Sequence, residues 1–101
     1  MVEVAVIAFE GISLFHLSVP IAIFEDATLN DNKLFKITVC AESAGHLRSA
    51  NGLAFDSQSD ISAIETTDVI IVPSWDPSKL PSQELQQQLN EASKNNKMIV
   101  G

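Results

Sequence analysis

The sequence predicts an α/β domain, a three-layer sandwich built on a mostly parallel sheet. Two short segments, residues 2–8 and 68–73, are almost continuously apolar and rich in Val and Ile. Such runs are typical of parallel strands that are covered by helices on both faces. Segments with helical apolar periodicity separate the candidate strands, as in a βαβ arrangement. A chain of 101 residues can form one hydrophobic core, so one domain or part of one is expected.

The first predicted strand is followed by a helix that contains a proline. This helix is expected to end near Ala27, because apolar side chains recur on one face at Leu14, Leu17, Ile21 and Phe24. Ser13 precedes the first of them and is a candidate helix cap. Pro20 lacks the N–H that a helix interior needs, so a kink or an irregular first turn is expected, which would re-aim His16.

The middle of the chain is predicted to form a strand, a hairpin and a short helix. Residues 35–41 alternate well enough for a strand with one partly polar face. An Asn51-Gly52 pair between apolar stretches predicts a β-hairpin within residues 42–58. Asp60 is expected to cap a short helix that reaches Ile64 and leads into the second buried strand.

The last third is predicted to contain a loop, a helix and a strand. The loop covers residues 74–79, and Pro81 is expected to open a helix that ends at Asn95-Asn96. The apolar repeat of this helix is Leu85, Leu89 and Ala92. Residues 97–101 form another candidate buried strand. Because a bare central strand seldom ends a domain, residues 1–101 are expected to be the N-terminal part of a single domain.

Composition disfavours several functions. The formal net charge of −7, from 6 basic and 13 acidic residues, would repel phosphate-rich nucleic acid. Cys40 is the only cysteine, so neither an internal disulfide nor a zinc-binding cysteine pair can form. The two histidines lack carboxylates at ligand spacing, so no metal and no other cofactor is expected. With neither a signal sequence nor a membrane-spanning run, a cytoplasmic protein is predicted.

Candidate ligand-binding residues lie in the loops that follow the buried strands. In open parallel sheets, ligands bind beyond the carboxyl ends of the strands. The predicted pocket residues are therefore Glu10, Gly11, His16, Ser74, Trp75 and Asp76. Plainer alternatives stay open, namely a polar residue near a helix start for His16, a solvated carboxylate for Glu10 and helix packing for Trp75. No catalytic residue is assigned, since Cys40 fits a core position and Ser74 lacks a Gly-x-Ser-x-Gly context.

Several segments also resemble a known family. Taken in order, three of them are similar to the class I glutamine amidotransferase-like superfamily, in the branch with PfpI-type proteases and isonitrile hydratases: residues 4–8, 14–24 and 68–77. More narrowly, Pro20 with Phe24, the Val-Pro-Ser-Trp-Asp-Pro loop and residues 98–101 resemble the amidase-like sensor domains of AraC-type transcriptional regulators. The resemblance covers essentially the whole chain. It implies a flavodoxin-like fold, here its N-terminal half.

The resemblance implies a ligand-sensing and dimerising domain of an AraC-type regulator. It would bind a small-molecule effector, form a homodimer, and contact DNA only through a C-terminal domain absent from this chain. The alternative is a cysteine-dependent hydrolase or hydratase of the PfpI or isonitrile hydratase type, with its nucleophile in the turn after Gly101. Catalysis is not expected, because these enzymes have a carboxylic acid where this chain has His16, and Glu10 would have to supply it. An interaction module without ligand is a third alternative.

Overall fold

A computed structural model of the chain describes residues 1–42, 45–76, 78 and 80–101. In these residues the element order is β1 (Val2–Ile7), α1 (Leu14–Asp26), β2 (Thr28–Leu29), β3 (Asn32–Lys33), β4 (Phe35–Ala41), β5 (Gly45–Arg48), β6 (Ala54–Ser57), β7 (Ser59–Asp60), a 3₁₀ helix (Ile61–Thr66), β8 (Val69–Ile71), α2 (Gln83–Lys94) and β9 (Met98–Val100). Five of these strands form a parallel sheet in the order β7-β4-β1-β8-β9. The predicted α/β fold with a mostly parallel sheet is confirmed.

β1 lies at the centre of the sheet because its side chains are apolar on both faces. Ala5 and Ile7 pack beneath the 3₁₀ helix and α2, whereas Val4, Val6 and Ala8 pack on the opposite side with α1. All five are at most 1% exposed. Burial of each Val or Ile side chain contributes about 1.5–3 kcal/mol, so helices on both faces stabilise this strand. The predicted three-layer sandwich is therefore present.

One face of the sheet carries α1 and the β5/β6 hairpin. Leu17 is the buried residue of α1, and the ring of Phe24 meets that of Phe35 edge to face at 4.8 Å between centroids. Ser13 occupies the predicted N-cap position, but its side chain makes no capping hydrogen bond. Pro20 lies inside α1, which is continuous across it, so the expected irregular first turn is absent.

The opposite face carries the 3₁₀ helix, which is held at both ends. The Asp60 carboxylate accepts hydrogen bonds from the backbone N–H and the hydroxyl of Ser62, and these bonds lower the pKa of Asp60. At the other end, the Lys97 ammonium donates to the carbonyl oxygens of Ile64 (3.0 Å) and Glu65 (2.5 Å). The prediction that Asp60 caps a short helix is confirmed. The carbonyl groups at the C-terminal end of this helix are hydrogen-bonded by Lys97, which is distant in the sequence.

α2 packs beside the 3₁₀ helix and begins later than predicted. The helix starts at Gln83, and the Ser82 hydroxyl accepts a hydrogen bond from the Leu85 backbone N–H at 3.1 Å. Pro81 therefore precedes the cap and is not the first helical residue, because Ser82 supplies a better N-cap. The predicted apolar face is confirmed by the burial of Leu85 and Ala92.

Two hairpins interrupt the βαβ pattern. The hairpin expected around Asn51-Gly52 is confirmed: β5 pairs antiparallel with β6, and Gly52 has a φ of +83° in the turn. A second hairpin, β2/β3, was not predicted and turns at Asn30 and Asp31, whose φ values are +53° and +64°. Ser43 and Ala44 of the predicted segment 42–58, and Pro77 and Lys79 of the predicted loop 74–79, lie outside the described residues.

Candidate ligand-binding site

The carboxyl ends of β1, β4 and β8 meet at one edge of the sheet, where a cleft of about 300 Å³ opens. The loops after β1 and β8 form two of its walls, and the β5/β6 hairpin contributes a third. The residues that line it are Ala8, Phe9, Glu10, Ala41, Glu42, His46, Leu47, Trp75, Asp76 and Leu80. This is the edge at which open parallel sheets bind ligands.

An aromatic pair forms the apolar wall of the cleft. The rings of Phe9 and Trp75 are 5.0 Å apart between centroids and inclined by 48°, which is a favourable tilted contact. Trp75 also packs against the core cluster under α2, and Phe9 packs against the cluster under α1. Trp75 therefore does both of the things that were expected as alternatives: it packs beneath α2 and it lines the cleft. Its core contacts fix the ring that faces the cleft.

The loop after β1 is tied to the β5/β6 hairpin by three hydrogen bonds. A carboxylate oxygen of Glu10 accepts from the Arg48 backbone N–H at 3.1 Å, and the Gly11 N–H donates to the Arg48 carbonyl at 2.7 Å. The Ala50 N–H donates to the Ile12 carbonyl at 2.9 Å. Gly11 has a φ of +91°, a conformation that glycine adopts without strain. The predicted residues Glu10 and Gly11 thus join two walls of the cleft.

Carboxylates make the rim of the cleft negative. Besides Glu10, the Glu42 carboxylate accepts a hydrogen bond from the backbone N–H at the N-cap of α2 (3.0 Å). The Asp76 carboxylate accepts from the backbone N–H of Ser78 at 2.9 Å and from its hydroxyl at 2.7 Å. His46 is the imidazole at this rim, and its Nδ1 is 2.5 Å from a carboxylate oxygen of Asp56 on the paired strand. Such a rim repels anionic ligands.

The six predicted pocket residues do not lie together. Glu10, Trp75 and Asp76 line the cleft, whereas Gly11 and Ser74 belong to its loops without lining it. His16 is exposed and lines a separate groove of about 300 Å³ between α1 and the ends of β8 and β9, which includes Gly101. Residues that were not predicted complete the cleft from β4, the β5/β6 hairpin and the loops: Ala8, Phe9, Ala41, Glu42, His46, Leu47 and Leu80.

The thiol of Cys40 takes no part in either site. Cys40 is fully buried in β4 and its sulfur lies 3.7 Å from the Thr38 carbonyl oxygen. Burial, and secondly the negative charge of Asp60, raise the pKa of the Cys40 thiol to about 11. A thiol of this kind is not a nucleophile at neutral pH. In the described ranges, no three His, Cys, Asp or Glu side chains are placed to bind a metal ion, and no helix could span a membrane.

We expect Cys40 to resist iodoacetamide at pH 8 in the native protein and to react after unfolding in urea, as measured by mass spectrometry. At that pH only about 0.1% of a thiol with this pKa is thiolate. The folded pKa lies above the ordinary value of 9.0, so the neutral thiol favours folding fully below about pH 9, and this contribution is lost as the pH rises towards 11. Alkylation of the native protein at the rate of the unfolded chain would contradict the burial of Cys40.

Comparison with known proteins identifies the fold. No protein-family model and no curated protein sequence matches the chain. Solved structures do match: at TM-scores of 0.78–0.81 and 12–20% sequence identity, they establish the class I glutamine amidotransferase-like fold of the DJ-1/ThiJ/PfpI proteins. The resemblance predicted from the sequence is confirmed at the level of the fold.

The matching structures include a transcriptional regulator. An AraC family transcriptional regulator from Pseudomonas putida aligns with a TM-score of 0.81 and 20% identity over 98% of this chain. DJ-1 from Toxoplasma gondii gives 0.79 and 20%, and a DJ-1 superfamily protein from Agrobacterium tumefaciens gives 0.78 and 12%, each over 98% of this chain. The chain spans 62%, 54% and 52% of the length of these three structures.

Proposed function

We propose that the chain is the N-terminal part of a ligand-sensing and dimerising domain of an AraC-type transcriptional regulator. The observation that carries the proposal is the cleft at the carboxyl ends of the strands, to which two loops and the β5/β6 hairpin contribute binding surfaces. Its aromatic wall and polar rim are suited to holding a small molecule. The fold shared with the regulator from Pseudomonas putida supports the proposal.

The position of the cleft also suits a sensor. A ligand in the cleft would contact Glu10 on one side and His46 and Leu47 of the β5/β6 hairpin on the other. The hydrogen bond from Arg48 to Glu10 joins these two walls, across 38 residues of sequence. The loop that holds Glu10 continues through Ile12 directly into α1. A ligand shifts a conformational equilibrium when it binds one of the two conformations more tightly. A ligand that holds the loop after β1 in one conformation would therefore favour one position of α1. DNA would be contacted by a separate domain, since these residues carry a net charge of −7.

One observation favours the second candidate, an enzyme of the hydrolase or hydratase type. His16 and Gly101 line the same groove, which is where the resemblance puts an acid and the turn with the nucleophile. Two observations count against it. The position of the acid holds an imidazole, and the Glu10 carboxylate that would replace it lines the other cavity, where it accepts the hydrogen bond from Arg48.

Fluorescence of Trp75 provides a direct test of the sensor proposal. Trp75 is the only tryptophan of the chain and lines the cleft, so a ligand bound there changes its surroundings and its emission. The purified full chain is titrated with panels of amines, amino acids, neutral sugars and carboxylates. We expect a saturable change with at least one class, and weaker responses to carboxylates because of the acidic rim. If no panel changed the emission of Trp75 and the chain hydrolysed or hydrated test substrates, the enzyme hypothesis would be favoured.

A further inference from the structure

The turn between β5 and β6 has an Asn-Gly pair at its exposed tip. The Gly52 N–H donates to the Ser49 carbonyl at 3.0 Å and the Ser49 N–H donates to the Leu53 carbonyl at 2.8 Å, so these residues form a tight turn. Asn51 and Gly52 are both exposed, and the turn requires the φ of +83° that Gly52 adopts. Water therefore reaches the two residues of the pair.

The Ser49 hydroxyl holds and polarises the side-chain amide of Asn51. Its oxygen accepts a hydrogen bond from the Leu53 backbone N–H at 3.1 Å and lies 2.6 Å from Asn51 Oδ1. Because a carbonyl oxygen can only accept, the hydroxyl donates its proton to Oδ1. This bond draws electron density from the carbonyl carbon, Cγ, and so favours attack on that carbon by a nucleophile. The backbone nitrogen of Gly52 is the nucleophile next to it in the sequence.

We propose that Asn51 is a modification site, which loses its side-chain amide by ring closure onto Gly52. The Gly52 nitrogen forms a bond to Asn51 Cγ, the bond from Cγ to Nδ2 breaks, and Nδ2 leaves as ammonia with the proton of the Gly52 N–H. Water then opens the resulting succinimide ring at one of its two carbonyl groups. The product is aspartate, or isoaspartate, in which the main chain runs through the side-chain carbonyl. Either product has exchanged ammonia for water and gained a negative charge.

Gly52 makes Asn51 the favoured site among the six asparagines of the chain. Ring closure brings the asparagine side chain onto the nitrogen of the next residue, where a Cβ would obstruct it. Gly52 has no Cβ, and no described atom beyond its neighbours in the chain lies within 4 Å of the position that a Cβ would take. The other five precede residues with larger side chains: Asn30, Asn32, Asn90, Asn95 and Asn96.

The isoaspartate product would loosen the β5/β6 hairpin from the loop after β1. Its main chain is longer between Asn51 and Gly52, so the hydrogen bonds that close the turn cannot keep their geometry. The Ala50 N–H, which donates to the Ile12 carbonyl of that loop at 2.9 Å, lies within the same turn. The modification would thus change one wall of the cleft slowly and irreversibly. The chemistry itself does not depend on the proposed function.

Mass spectrometry of the aged full chain tests the proposal. Trypsin cuts after Arg48, and Asn51 is the only asparagine of the resulting peptide 49–79. Because the Gly52 N–H must first leave the Ser49 carbonyl, the native chain is followed at pH 8 over several weeks. We expect ammonia to be exchanged for water about 10-fold faster in this peptide than in those with the other asparagines. Asn51→Gln is the matched control, because its side chain would have to close a larger ring, and its peptide should stay unchanged.

Equal rates at all asparagines, or an unmodified peptide 49–79, would overturn the proposal. The effect on the hairpin is measured by hydrogen exchange, after anion exchange has isolated the modified chain and an isoaspartate-specific methyltransferase has identified the isoaspartate product. We expect the Ala50 N–H of this product to exchange about 10-fold faster than that of the unmodified chain. Asn51→Asp has a main chain of normal length and should exchange as the wild type does. Unchanged exchange in the isoaspartate chain would refute the effect on the cleft wall.

Discussion

Replacing Ile70 with alanine is expected to lower the free energy of unfolding by about 2–5 kcal/mol. Ile70 is fully buried in β8, in the core cluster beneath the 3₁₀ helix and α2. Strands on both sides hold its backbone through the pairs Ala5–Ile70 and Ile70–Ile99, so the site cannot collapse onto the smaller side chain. The loss then includes both the transfer of the removed methyl groups and the cavity that remains. Urea unfolding followed by circular dichroism measures it.

Two matched variants make the Ile70 result specific. Val69→Ala changes the preceding residue of β8, which is half-buried on the opposite face, and about 1 kcal/mol is expected. Leu29→Ala alters an exposed side chain and should stay within about 0.5 kcal/mol of the wild type. If all three variants lost the same free energy, the assignment of Ile70 to a doubly covered strand would be wrong.

The buried strands could be predicted because their apolar runs are a local signal. β1, apart from Glu3, and β8 are apolar throughout, and each is covered on both faces as expected. The expectation of a buried strand at residues 97–101 was wrong, because all three residues of β9 are exposed. β7 could not be predicted in this way. It has only two residues at the sheet edge, Ser59 and Asp60, and its pairing with β4 comes from main-chain hydrogen bonds. The β2/β3 hairpin was not predicted because Asn30-Asp31 is a weaker turn signal than Asn-Gly.

Only part of the cleft has a local signal in the sequence. Trp75 and Asp76 follow β8 directly and Glu10 follows β1, so the rule for parallel sheets brings them to one edge. His46 and Leu47 line the cleft only because the β5/β6 hairpin folds over that edge, which depends on contacts between distant residues. Hydrogen bonds from Arg48 and Ala50 of the hairpin to the loop after β1 are such contacts.

The position of His16 depends on the rotation of α1 about its axis. Consecutive helical residues are about 100° apart, so the burial of Leu17 directs His16 away from the sheet core. The neighbouring groove, between α1 and the ends of β8 and β9, is then the cavity that His16 lines. The apolar periodicity of α1 contains this information, but Pro20 led to the expectation of a kink that would redirect the imidazole. α1 runs as one helix from Leu14 to Asp26 with Pro20 inside it.

Trp75→Ala is expected to weaken ligand binding in the cleft by about 30-fold or more, the effect of losing a central aromatic contact. The indole forms one half of the wall with Phe9, and its removal leaves the remaining ring without its tilted partner. Trp75→Phe keeps an aromatic ring on the same strand end and should lose much less affinity. Isothermal titration calorimetry, with the compound found in the fluorescence titration, measures both variants without relying on tryptophan emission.

The effect of Trp75→Ala must be separated from its effect on folding, because Trp75 also packs against the core cluster under α2. The titrations are therefore made well below the unfolding midpoint of each variant, and Leu29→Ala serves as a surface control with wild-type affinity. If Trp75 acts as a wall, affinity follows the order wild type, Trp75→Phe, Trp75→Ala, while the stoichiometry stays constant. Equal affinities for the three chains would put the ligand elsewhere. The groove lined by His16 and Gly101 would then be the next cavity to test, and the enzyme hypothesis would gain weight.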